Sequence, residues 1–251
     1  MYDQRNYGFT LDVRKGIAKF AAVSIQYRLE TTELFNVASS ASQQIRNEVG
    51  SVTKSQITPS IVFDTRDNPF LTRKGQRVVF TPFIAGGPLG GNTQIYGFDL
   101  EGSQYFKLPM DTILAFHGRI ATVDTWGNGT RVPIFERLFL GGSNDLRGFD
   151  FRDVSPRDIN GEPLGGRSLA RATVEFTVPI IEKARAAIFY DTGFVNAPAW
   201  DFGTTHLVSD IGLGLRLDLP IGPIRIDYGY PLQKDNLPGK GKFNFNVGYQ
   251  F

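Results

Sequence analysis

Along most of this chain, apolar residues recur at every second position, the period of a strand with one apolar face. The last segment is the cleanest: Phe243, Phe245, Val247, Tyr249 and Phe251 fall on one face, and Asn244, Asn246, Gly248 and Gln250 on the other. Ile211 to Leu219, Ile224 to Tyr230, Tyr7 to Val13 and Val23 to Leu29 alternate in the same way. Weaker alternation covers 55–64, 76–86, 94–107, 111–124, 167–179 and 184–194. The pattern predicts about eleven strands, most of ~9–11 residues or slightly more, the length that crosses a bilayer at a tilt. Only 37–50, around Gln43-Gln44-Ile45-Arg46, has room for a short helix. No linker, low-complexity tract or charge block divides the chain, so 1–251 reads as one domain.

The polar face separates two all-β architectures. A soluble sandwich turns many Lys and Glu to water, whereas here that face is mainly Gly, Asn, Thr, Ser, Arg and Asp, which suits a barrel lumen. Aromatics near strand ends (Tyr7, Phe63, Phe106, Trp126, Tyr190, Tyr230, Phe251) suit interfacial girdles. An antiparallel transmembrane β-barrel is therefore expected over the sandwich. Composition agrees: 28 Gly and 21 Phe sit in a chain that is only 41% hydrophobic. A formal net charge of +2 gives no field for a polyanion, so no nucleic-acid partner is expected. The absence of Cys removes disulfide scaffolds, thiol nucleophiles and Cys-based metal sites. No apolar run approaches the ~18 residues of a membrane helix, and Met1-Tyr2-Asp3-Gln4-Arg5 does not open a signal peptide.

One connection is too long for a turn. About 127–166 carries little strand pattern, yet Ile134-Phe135-Glu136-Arg137-Leu138-Phe139-Leu140-Gly141-Gly142 and Leu146-Arg147-Gly148-Phe149 are too apolar for a solvated tail. The segment is expected to fold back into the barrel. Parity supplies its target: with Ala172, Val174 and Phe176 outward, Arg171, Thr173 and Glu175 face the lumen. With Ile188 and Tyr190 outward, Phe189 and Asp191 face inward. Arg147 could then close a charge-assisted, bidentate lock on Glu175 and Asp191, with Gly148 allowing close backbone approach. The alternative is an Arg147 solvated at a loop tip, each carboxylate pairing with a lumenal Arg.

Candidate chemistry is sparse. His117 faces the lumen by parity and His206 lies near a turn, so no shared metal site is expected. Asp64 and Asp67, followed by Asn68-Pro69, read as turn formers rather than paired catalytic carboxylates. Gly86-Gly87-Pro88-Leu89-Gly90-Gly91 lacks the Lys-Ser/Thr of a phosphate loop and reads as a hairpin turn. No nucleophile stands beside a base, so neither an enzyme nor a cofactor is expected.

The same residues carry a family resemblance. Gly141-Gly142 followed by Leu146-Arg147-Gly148-Phe149 resembles the sixth-loop signature of the BamA-type outer-membrane protein assembly factors. In that family the motif's Arg lies inside the barrel, against a Glu of the next strand and the Asp of an F-x-D-x-G motif on the strand after. Glu175 and Phe189-Tyr190-Asp191-Thr192-Gly193 match those positions. Asp64-Thr65-Arg66-Asp67-Asn68 with Lys74-Gly75 resembles the family's strand–turn segment, and the terminal alternation ending at Phe251 resembles an outer-membrane targeting signal. Gly248 matches the glycine at which the family's last strand can kink.

The resemblance implies the carboxy-terminal part of a sixteen-stranded barrel preceded by periplasmic POTRA domains, integral to the bacterial outer membrane. It implies folding and insertion of barrel proteins through a lateral seam formed by the last strand. Partners would be outer-membrane lipids, unfolded barrel substrates and accessory lipoproteins reached through the POTRA domains. A TamA-type or two-partner secretion barrel, or a passive porin, are the other readings.

Overall fold

A computed structural model describes residues 3–37, 43–69, 71–219, 222–235, 237 and 239–248. Eleven strands form one antiparallel sheet in chain order. They are β1 (Asp3–Ala18), β2 (Ala21–Phe35), β3 (Gly50–Asp64), β4 (Gly75–Ala85), β5 (Ile95–Lys107), β6 (Ile113–Thr125), β7 (Ser168–Ile181), β8 (Ala184–Asn196), β9 (Val208–Leu219), β10 (Gly222–Gln233) and β11 (Lys242–Val247). The strand phases match those read from alternation, and the strands run longer at their ends. Of the helix expected within 37–50, only Gln43–Arg46 forms. Among the described residues β1 pairs only with β2 and β11 only with β10, so the sheet is open.

The connections are shorter at one end of the sheet than at the other, with 65–74 the one long member of the short set. At one end they are 19–20, 65–74, 108–112, 182–183 and 220–221; at the other they are 36–49, 86–94, 126–167, 197–207 and 234–241. That asymmetry is the one outer-membrane barrels show between periplasmic turns and extracellular loops. The 65–74 turn is closed by its own acids, as expected for turn formers. Asp64 accepts from Arg66 Nε and Nη2 at 3.0 and 2.9 Å, and Asp67 accepts from the backbone N–H of Arg73 at 3.0 Å. The outer face carries exposed apolar side chains on every strand, among them Phe9, Ile25, Ile61, Phe80, Phe106, Phe116, Val174, Ile188, Leu213, Tyr228 and Phe245. Buried in a soluble protein, such a face is the expected surface towards lipid.

Trp126 departs from the girdle assignment. Its indole donates to the Ala85 carbonyl at 2.9 Å, and it is only part-exposed. The reason is the 86–94 connection, where a Cβ on Gly87 would stand 2.4 Å from the indole ring. Further along the same end, the 197–207 loop leans over the outer face. There Thr122, Ser168, Asn196 and Ser209 face outward by phase yet are buried. Trp200 N–H donates to Thr122 Oγ1 at 3.2 Å, Asp201 N–H to Ser168 Oγ at 3.1 Å, and Asn196 Nδ2 to the Gly203 carbonyl at 2.8 Å. The Trp200 ring rests 5.6 Å from that of Phe98.

Candidate functional site

The 126–167 segment folds across the inner face of β6 to β11. It first organises itself: short bridges join Leu138 to Gly166 and Leu140 to Val154. Gly142 N–H donates to the Phe149 carbonyl at 3.0 Å, closing a tight turn over 142–149. Leu140, Leu146, Phe149 and Val154 then pack on Ala121, Leu169, Val195 and Val208, the inward residues of β6 to β9. This buried apolar cluster is why a loop of that length stays ordered: each large side chain removed from water contributes roughly 1.5–3 kcal/mol.

The turn delivers Arg147 to the carboxylates parity had placed opposite it. Its Nε and Nη2 donate to Asp191 Oδ2 and Oδ1 at 2.8 and 2.9 Å, a bidentate pair. Nη1 donates to Glu175 Oε2 at 2.7 Å, and the guanidinium stacks 3.3 Å from the centroid of Phe189. Arg147 is 3% exposed, so the solvated-tip alternative does not hold. Close approach is required here. A Cβ on Gly148 would stand 2.6 Å from Asp210 Cβ, and one on Gly229 would stand 2.7 Å from the Arg147 carbonyl carbon. Gly193 faces Arg171 across the β7–β8 ladder, and Gly141 lies against Asp150 at the mouth of the turn.

The cluster is larger than the three residues expected. Arg216 on β9 grips Glu175 from the other side, Nε to Oε1 at 3.0 Å and Nη2 to Oε2 at 2.7 Å, and donates through Nη1 to Asp227 Oδ1 at 2.6 Å. Arg225 Nε lies 3.2 Å from Asp227 Oδ2, and Thr173 Oγ1 donates to Asp191 Oδ1 at 2.8 Å. All of these charged groups are at most 5% exposed. Removing one partner from such a network strands a buried charge and typically costs about 3–5 kcal/mol. The signal for Arg216, Arg225 and Asp227 was present, since all three fall on the polar phase of β9 and β10. Asp210, also buried, stands opposite Asp191 in the β8–β9 ladder.

The terminal residues take two positions. Phe243, Phe245 and Val247 on β11 point outward and are more than half exposed. Gly248 adopts φ +67° and donates its N–H to the Pro223 carbonyl at 2.8 Å, and Val247 is the last ladder residue among those described. Tyr249 and Phe251 lie outside the described residues. Lys242, Asn244 and Asn246, on the inner phase of β11, meet the loop, a set the sequence reading did not single out. The two imidazoles stand apart: His117 packs edge-on against Tyr105 inside the sheet, while His206 pairs with Asp235 between loops.

An antiparallel meander with an exposed aromatic outer face, unequal ends and a loop pinned inside by a buried Arg defines an outer-membrane β-barrel chain. The chain belongs to the Omp85 superfamily, whose domain model matches residues 1–251. It is 29% identical over 259 residues to the outer membrane protein assembly factor BamA of Nitratidesulfovibrio vulgaris, covering 100% of this chain and 32% of that protein. A SAM50-like protein of Drosophila melanogaster is 26% identical over 239 residues, covering 91% of this chain and 52% of that one. Among solved structures, BamA from Haemophilus ducreyi lacking POTRA domains 1–3 superposes with a TM-score of 0.83 at 18% identity, over 100% of this chain and 55% of the other. The chain thus spans about a third of the length of its bacterial relative.

Proposed function

We propose that this chain is the barrel part of an outer-membrane protein assembly factor, which folds and inserts barrel proteins without covalent chemistry or a cofactor. In this reading residues 1–251 are one barrel domain, and the segment at about 127–166 is its internal brace. The observation that carries it is the long loop pinned against the inner face of the sheet by the buried Arg147. The brace joins β7, β8 and β10 through Glu175, Asp191 and Asp227 at 2.7, 2.8 and 3.5 Å. β11 pairs with β10 through six residue pairs among the described residues. In this reading the last strand is a template at the seam: when the seam opens, its backbone groups accept an incoming strand by hydrogen bonding, and selection needs only alternation and aromatic spacing. Phe243, Phe245 and Val247 would border lipid at that seam, with Gly248 as its bend and Tyr249 and Phe251 completing the terminal signal.

A passive porin is the less favoured reading, because the buried loop fills the lumen of β6 to β10. The substrates in this proposal are unfolded barrel proteins, and accessory lipoproteins would be reached through POTRA domains. The deciding experiment replaces Arg147 by Ala in cells that depend on this protein. Folded substrate barrels should fall in yield while the variant itself still inserts. Normal substrate assembly in those cells would sink the role assigned to the brace, and a large steady single-channel conductance would favour the porin.

A further inference from the structure

The inner face of β11 is bound to the loop along its whole length. Lys242 Nζ lies 2.7 Å from Asp150 Oδ2, Asn244 Nδ2 donates to the carbonyl of Arg147 itself at 2.9 Å, and Ser143 Oγ donates to Asn246 Oδ1 at 3.3 Å. These are the three inward residues of the strand, since Phe243, Phe245 and Val247 take the outward phase. Arg225 on β10 joins the same contact, donating to the Ser143 carbonyl and to Asn144 Oδ1 at 2.9 Å. β11, joined to β10 by six residue pairs among the described residues, therefore receives support from a second source, a turn anchored elsewhere in the sheet.

We infer that Lys242, Asn244 and Asn246 are positioning residues that tether β11 to the Arg147 turn, so that seating or release of the turn sets how firmly the last strand is held. The inference rests on the assembly-factor reading for its purpose, but not for its physics. Asn244 reads the backbone of the same residue whose side chain grips Glu175 and Asp191, so a shift of the turn moves both ends together. The bonds of Asn244 and Asn246 are neutral, and the Lys242–Asp150 ion pair is solvent-exposed, its side chains 33% and 62% accessible. Such contacts break without stranding a charge, in contrast to the arginine cluster. The firm anchor and the releasable tether thus meet at one residue.

The test measures amide hydrogen exchange of the full-length protein in lipid bilayers, comparing β11 with the β5–β6 pair. Asn244→Ala with Asn246→Ala should raise exchange in β11 by about three- to tenfold, the effect of losing one or two ordinary hydrogen bonds, and leave β5–β6 unchanged. Ser143→Ala with Asp150→Asn cuts two of the tether's contacts from the loop side and should give the same localised change, which covers a β11 variant that folds poorly. In an Arg147→Ala background the β11 substitutions should add little. Unchanged β11 exchange in both folded variant pairs overturns the tether, as does a rise spread evenly over the sheet. If β11 loosens but substrate barrels assemble normally, the tether stands and the assembly-factor reading fails.

Discussion

Replacing Arg147 by Ala tests the arginine cluster most directly, because the structure says which groups are left behind. The side chain supplies two bonds to Asp191, one to Glu175 and a longer one of 3.5 Å to Asp227, besides its stacking on Phe189. Arg216 continues to hold Glu175 and Asp227, and Arg225 to hold Asp227. The stranded charge is therefore one carboxylate, Asp191, left with Thr173 as its side-chain donor. That places the loss near the lower end of the range for a broken buried pair, about 3 kcal/mol, or roughly a hundredfold shift towards the released loop. Ala121 reports the release: it is buried on β6 beneath Leu140 and Phe149, and the chain contains no other Cys to confuse labelling. An Ala121→Cys reporter should react with a thiol reagent about a hundred times faster in Arg147→Ala. Arg147→Lys keeps the charge but loses the fork and the stacking, and should fall between the two. Wild-type labelling in a folded Arg147→Ala barrel would refute the claim that the guanidinium holds the loop.

Gly229→Val puts side-chain atoms where the Arg147 backbone runs, and should increase Ala121→Cys labelling with Arg147 intact; a slow reaction would count against close approach there. Arg216→Met leaves Glu175 with a single cation and should destabilise the barrel by about 3–5 kcal/mol, read as a lower temperature of heat-induced gel shift. Gly248→Val forces a β-branched residue into a left-handed conformation at a cost of at least about 1–2 kcal/mol, and should straighten the end of β11; unchanged cross-linking across the seam would remove the bend's assigned role. Asp111, in the 108–112 turn, accepts from Arg185 and lies near Lys107 and Arg73, which together hold its carboxyl below the ordinary 3.8. A depressed carboxylate stabilises above its unfolded value and loses that contribution as pH falls through the folded one. The melting difference between wild type and Asp111→Asn should accordingly be flat from pH 7 to about 5 and shrink below the ordinary carboxylate range.

Strand phase was legible because a single-sided apolar face is written into every second residue. That is why Glu175, Phe189 and Asp191 could be turned inward on paper. Which inward residues touch is set by register and by strand curvature, and phase carries neither. Arg216 stands opposite Arg225 and Arg185 in the ladders, an arrangement that looks repulsive until Asp227 is placed between Arg216 and Arg225 and Arg185 is seen to turn to Asp111. Asn244 and Asn246 were read as polar-face residues of a terminal strand, and nothing local links them to a turn about a hundred positions earlier. Trp126 departs from its assignment for a similar reason: its neighbourhood is set by Ala85, 41 positions earlier, and the connection that follows it.

The loop that covers the outer face near Trp200 fixes how deep the protein sits. Thr122, Ser168 and Asn196 hydrogen-bond to that loop, and Ser209 is buried at the same level, so the wall there is clad in protein rather than facing acyl chains. The hydrocarbon boundary must then fall below them, between this cladding and Ile120 on β6, where the exposed apolar side chains begin. Along β6 to β9, vertical registration in the bilayer is thus assigned to a polar collar, with the Trp200 ring packing its loop onto Phe98.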